Sequence, residues 1–339
     1  MRERELDVVD VTQEASTGDV PSDAQIDELL QQAYLRCAAN VGGEIANYIP
    51  ALAQADPDAL GVCIADVDGG LHEIGDTRTA FSIQSISKAF VFALLAEEVG
   101  HDEVFDLVGA NNTGLSFSSV VAIEINDGHP MNPMVNAGAL ATTALIPGDT
   151  FDDRWEKIRT GLSQFAGREL IVDEVVYTSE SLNNHRNRAI AQLLQSYDRI
   201  EGDPAEVVDL YTRQCSVRVD ARDLAVMGAT LAYGGVNPLT GERVVSPETC
   251  RDTLAVLTAS GLYENSGEWL FEIGLPGKSG VAGGLVTVAP GKVAIGTYAP
   301  RLDKAGNSIR GQIATAYLSR ALGLNIFASG SRSTGPVPA

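Results

Sequence analysis

Strand signals gather at the two ends of this 339-residue chain, and that separation constrains the fold more than any other feature. Near the start, LGVCIADVD (60–68), a Gly69-Gly70 turn and LHEIGD (71–76) read as a hairpin. Near the end, LFEIGLP (270–276), GGLVTVA (283–289), a Pro290-Gly291 turn and KVAIGTYA (292–299) have strand character. From Ser85 to about residue 268 the pattern is helix and loop. One sheet closed by both halves of the chain, with a helical region inserted between them, satisfies this order. The expected class is α/β (α+β): a mixed sheet flanked by helices, with a site in the cleft between the two parts.

Flanking helices are expected on either side of the strands. After Pro21-Ser22, apolar residues at Ile26, Leu29, Leu30, Ala33, Tyr34, Cys37 and Val41 have helical spacing, with Ser22 as N-cap. A last amphipathic helix is expected over SIRGQIATAYLSRALGL (308–324). The expected division is a flexible leader over 1–20, a sheet domain over 21–84 plus 269–327, a helical domain over 85–268, and a flexible tail over 328–339.

A net charge of -21 argues against nucleic acid or an anionic membrane as partner, because both would be repelled. Cys37, Cys63, Cys215 and Cys250 form no CxxC pair, and the four histidines have no ligand spacing, so neither a metal nor another cofactor is expected. Reduced core thiols in a cytoplasmic protein are the expectation. The charged start MRERELDVVDVTQEAS lacks an apolar core of the secretory type, and no run reaches the length of a membrane span.

The first constellation with chemistry is QSISK, Gln84 to Lys88, at a strand-to-helix transition. Positions i and i+3 share a helix face, so Ser85 and Lys88 are neighbours. A serine hydroxyl is a weak nucleophile and needs a base, and a lysine serves once desolvation lowers its pKa. Ala89, Phe90, Val91 and Phe92 would supply the apolar surroundings. Alone, S-x-x-K is equally explained by a capping serine and a solvated lysine. A second block, Lys278-Ser279-Gly280, resembles the K-T-G strand of serine β-lactamases and penicillin-binding proteins, in a late strand able to lie beside the nucleophile.

Eight blocks occur in order: ANYIPALA, FSIQSISKAF, HPMNPMVNAGA, YTSESLNNHRNRAIA, YTRQCSV, GGVNPLTGERVVSPE, SGLYENSGEW and GLPGKSGVAGG. Together they resemble the glutaminase family, relatives of the β-lactamases that hydrolyse free glutamine, over residues 25–325. The resemblance implies a β-lactamase/transpeptidase-like fold, a compact bacterial form, and a homodimer or homotetramer. It also implies roles position by position. Ser85 matches the nucleophile and Lys88 its base. Tyr48, Asn136, Glu180, Asn187, Tyr211 and Tyr263 match residues that line the site or hold substrate. Val281 matches the residue whose backbone N–H joins that of Ser85 in the oxyanion hole.

Charge logic agrees with these roles. Free glutamine carries an ammonium and a carboxylate, so its pocket needs an anion such as Glu180 beside neutral donors such as Asn136, Asn187 and tyrosine hydroxyls. Which of the neutral groups meets which end is left open at this stage. Tyr263, if close to Ser85 and Lys88, would relay a proton to departing ammonia. Two other readings compete. A β-lactam-hydrolysing or β-lactam-binding protein would share Ser85, Lys88 and KSG, but no S-D-N element is present. A non-catalytic amino-acid-binding protein on the same fold would not need both nucleophile and base.

Overall fold

The computed structural model describes residues 11–12 and 20–329. The expected leader and tail therefore lie almost wholly outside the described residues. Among the described residues there are seven strands: β1 Gly61–Asp66, β2 Leu71–Gly75, β3 Phe81–Ser82, β4 Arg218–Val219, β5 Gly277–Ser279, β6 Gly284–Ala289 and β7 Val293–Tyr298. Five form one antiparallel sheet in the order β2-β1-β7-β6-β5. The two ends of the chain thus meet at the β1–β7 pair, where Ile64 lies opposite Ile295.

Side chains alternate across a strand, and here both faces are covered. Val62, Ile64, Leu285 and Ile295 point into a core shared with helices Asp23–Ala38 and Ile309–Ala321. Cys63, Ala65, Val286, Val288 and Ala294 point into the opposite core. Helix Asp23–Ala38 follows Ser22, whose N–H donates to Gln25 Oε1 at 3.2 Å, and it buries the single stripe Ile26, Leu30, Ala33 and Cys37. Among the described residues no helix is long and apolar enough to cross a membrane.

Three sequence expectations change. The LFEIGLP segment is not a strand: helix Ser266–Glu272 runs into it, and only Gly277–Ser279 pairs with β6. Trp269 and Ile273 are buried four residues apart while Phe271 is exposed, which is helical and not alternating spacing. The last helix is not amphipathic in use, because every residue from Arg310 to Ser319 is buried. Third, helix Ala221–Ala232, from the middle of the chain, packs on β1, β6 and β7 and closes the second face of the sheet. Its close seat needs glycine beneath it: a Cβ at Gly296 would stand 2.1 Å from Ala221 O.

Helices His101–Val108, Asn136–Ala144, Phe151–Ala166 and Pro247–Ser260 pack against Ser87–Val99, which is buried all round from Ser87 to Ala93. Between β3 and this helix the chain makes one tight turn. Ser82 pairs with Arg218, and the Ile83 N–H donates to Val217 O at 2.8 Å. A small two-stranded ribbon therefore fixes where the turn begins.

Candidate active site

Gln84–Ile86 forms a turn of 3₁₀ helix, and helix Ser87–Val99 continues from it. Ser85 thus stands in the turn just ahead of the α-helix. Gln84 has φ 51°, a left-handed conformation that is rare for a side-chain-bearing residue. Hydrogen bonds hold it there. Ser87 Oγ donates to Gln84 O at 2.7 Å, and Gln214 Nε2 donates to Ser87 Oγ at 3.2 Å. The Gln84 amide donates to Ser82 Oγ at 3.1 Å and to Glu180 Oε2 at 3.3 Å.

Lys88 is fully buried on the face it shares with Ser85. Its Nζ donates to Asn136 Oδ1 at 2.7 Å and to Met134 O at 3.2 Å. The Phe117 and Tyr211 ring centres lie 5.9 and 6.0 Å from Nζ, and burial disfavours the charged form and brings its pKa down from 10.5 to about 8. Asn136 begins helix Asn136–Ala144, and its Nδ2 donates to Asn187 Oδ1 at 2.9 Å.

The β5 edge completes the other wall. A Cβ at Gly280 would stand 2.9 Å from Ile83 O, so glycine lets the strand end abut the Ser85 turn. The backbone N–H groups of Ser85 and Val281 find no acceptor among the described residues. Tyr263 also has a left-handed backbone, φ 57°, held where Ser266 Oγ donates to Tyr263 O at 2.8 Å. Its hydroxyl donates to Ser279 O at 3.0 Å and lies close to the Ser85 side chain. Lys278 Nζ donates to that same carbonyl at 2.9 Å and lies 4.1 Å from the Tyr263 ring centre. Burial holds Lys278 well below an ordinary lysine, and the neighbouring charge of Lys88 adds to this.

These groups surround a cavity of about 330 Å³ lined by Tyr48, Ser85, Asn136, Glu180, Asn187, Tyr211 and Val281, among others. Glu180, on helix Glu174–Asn183, is buried in its wall. Burial raises the Glu180 pKa to about 7, against the opposing Gln84 hydrogen bond and the Lys88 charge.

The same chain matches the family model described as Glutaminase over residues 43–327. The chain belongs to the glutaminase family. Glutaminase 2 of Yersinia pestis is 52% identical over 93% of this chain and 92% of its own length. The glutaminase of Colwellia psychrerythraea is 47% identical over 91% and 99% of the two chains. Among solved structures, a probable glutaminase, ybaS, superposes with a TM-score of 0.89 at 43% identity, covering 91% of this chain and 99% of its own. Mglu in its glutamate form gives 0.86 at 40% identity, covering 90% of this chain and 71% of its own. The fold is that of the glutaminases, a β-lactamase-like architecture.

Against this glutaminase frame, the structure brings together every residue singled out in the sequence. Seven line one cavity, and Lys88 and Tyr263 stand behind Ser85. Tyr48 is the exception in burial, since it lies at the rim, 58% exposed. Sequence reasoning passed over three participants. Gln84 reaches Glu180 although its position beside Ser85 said nothing of its direction. Phe117 stacks near Tyr263, with ring centres 4.8 Å apart, and lines the cavity. Asn184 also lines it, and the i, i+4, i+7 spacing of Glu180, Asn184 and Asn187 was a readable signal.

Proposed function

We propose that this chain hydrolyses the side-chain amide of L-glutamine to L-glutamate and ammonia through a Ser85 acyl-enzyme. The carrying observation is a serine in the wall of a small cavity that also contains one buried carboxylate, with a fully buried lysine of lowered pKa three residues along the chain. A neutral lysine amine has two hydrogens and one lone pair. Asn136 Oδ1 and Met134 O accept the two hydrogens, which leaves the lone pair for the Ser85 proton.

In this reading Ser85 Oγ attacks the amide carbon as its proton passes to Lys88. The carbonyl oxygen becomes an anion and takes up the N–H groups of Ser85 and Val281. Collapse breaks the carbon–nitrogen bond, and the departing nitrogen gains a proton by way of Tyr263, whose hydroxyl lies close to Ser85. Water then attacks the ester, and glutamate leaves with Ser85 restored. Glu180 takes the substrate ammonium, while Asn136, Asn187, Tyr48 and Tyr211 serve the remainder of the amino-acid end. No step calls for a cofactor.

The same reading includes a homodimer or homotetramer, on the strength of the family resemblance, and a cytoplasmic setting. Four buried free thiols are consistent with a reducing compartment. Light scattering after gel filtration tests the first and cell fractionation the second. Ammonia release from glutamine and asparagine tests the activity itself. Release from neither would end this reading.

A further inference from the structure

A second, larger cavity of about 1040 Å³ adjoins the first. The two share only Tyr48, Phe117 and Val281, so these residues form the partition between them. None of Glu180, Asn136, Asn187 or Tyr211 reaches the larger space. Its walls are built chain segments. Glu44 and Leu302 exchange backbone hydrogen bonds at 3.0 and 2.8 Å, joining the 43–48 segment to the 302–306 turn. At Gly306 that turn stands against both reacting-side residues: a Cβ there would lie 3.5 Å from Val281 and 3.8 Å from Tyr263.

We infer that this cavity receives the amine portion of N-substituted γ-glutamyl amides, so that the enzyme cleaves these as well as glutamine. The inference rests on the glutaminase reading above. With the ammonium at Glu180 and the carbonyl oxygen at the Ser85 and Val281 N–H groups, the scissile nitrogen lies on the Tyr263 and Val281 side. A substituent on that nitrogen then has one direction to extend, past Tyr48 and Phe117 into the larger space. The chemistry is unchanged and balances. The carbon–nitrogen bond breaks, the nitrogen takes the proton that Ser85 gave up, and a free amine leaves in place of ammonia.

The lining also selects among amines. Among the described residues its charged side chains are Glu44, Glu268, Asp303 and Lys304. This excess of carboxylates favours an amine bearing a second positive charge over one bearing a carboxylate.

The test is steady-state cleavage of four substrates by the full chain: glutamine, γ-glutamyl ethylamide, the mono-γ-glutamyl amide of 1,4-diaminobutane, and γ-glutamyl-β-alanine. Free amine and glutamate are measured together. Both uncharged and diamine substrates should be cleaved, and the diamine amide should exceed the β-alanine amide in kcat/KM by about 5-fold or more at low salt. Ala305→Trp, which fills the larger cavity, should lower the ratio of diamine-amide to glutamine kcat/KM by at least ~5-fold. Glu268→Lys should narrow the preference for the diamine amide. Glutamine turnover with no cleavage of any substituted amide overturns the inference and leaves the glutaminase reading standing. Inert glutamine together with inert amides overturns both. An unchanged ratio in a folded Ala305→Trp enzyme removes the cavity from substrate selection.

Discussion

The sheet and the Ser85 turn are both buried and meet where β5 ends, yet they hold together in opposite ways. Inside the sheet, Val62, Ile64, Leu285 and Ile295 bury apolar surface, and the ladder satisfies the backbone. Around the turn, Lys88, Lys278 and Glu180 lie in the interior, and Gln84 and Tyr263 keep left-handed backbones. Burying ionisable groups costs free energy, and each strained backbone costs about 1–3 kcal/mol. The turn is therefore held in shape by the packing and hydrogen bonds around it. The sheet's apolar residues do not line the site, and substitutions there should separate stability from turnover.

The largest effects on turnover are expected at Ser85 and Lys88. Ser85→Ala and Lys88→Ala should each lower kcat by ~10²–10⁴-fold, and the double variant should be little worse than either. Near-wild-type turnover in Ser85→Ala would end the covalent mechanism. The wild-type kcat should rise with pH through about 8 as Lys88 loses its proton. Stability carries the opposite mark of the same group. The folded pKa lies below the unfolded value, so between about 8 and 10.5 the unfolded state binds more protons and stability rises with pH. Lys88→Met should thus be more stable than wild type at neutral pH, with the gap shrinking across that window. Equal pH dependence of the two in chemical denaturation would contradict this account.

Next in size is Glu180. Glu180→Gln leaves the substrate ammonium without its partner, at a cost of order ~3–5 kcal/mol in binding if the pair is buried. A glutamine analogue lacking the α-amino group should bind wild type and variant about equally. A variant that keeps its glutamine KM would show that Glu180 does not hold the ammonium.

Val281 sharpens the comparison because it belongs to the core and to the site at once. Replacing its N–H by an ester oxygen should lower kcat by ~10²–10³-fold with little change in substrate affinity. Val281→Ala keeps the N–H and should be mild. Equal, modest losses in both would remove Val281 from the oxyanion hole.

The smallest effect on turnover belongs to the sheet. Ile295→Ala should destabilise the fold by ~2–5 kcal/mol in denaturant unfolding, while kcat per folded molecule stays near wild type. A large fall in kcat with unchanged stability would show the two regions to be more tightly coupled than their construction implies.

Much of this was legible in the chain alone. Strand-forming runs bounded by the Gly69-Gly70 and Pro290-Gly291 turns marked β1, β2, β6 and β7, because strand propensity and turn chemistry are local properties. Ser22 and the apolar stripe marked the first helix for the same reason. The ordered motifs marked Ser85, Lys88, Asn136, Glu180, Asn187, Tyr211, Tyr263 and Val281, since each functional residue type sits in a local signature. LFEIGLP misled because a short apolar run fits strand or helix, and only the packing of Trp269 and Ile273 chose between them.

What the tertiary structure decided were directions and environments. A lysine pKa depends on how much water surrounds it, so QSISK could name Lys88 but the packing of several helices lowers its charge state. Gln84 meets Glu180 across 96 residues of chain, and Tyr263 meets Ser85 and Ser279 because β5 pairs with β6. The larger cavity has no motif, for its walls come from 43–48, 265–268 and 302–309. Local sequence carries backbone preference and burial pattern; the distance between two side chains far apart in the chain exists only once the sheet has closed.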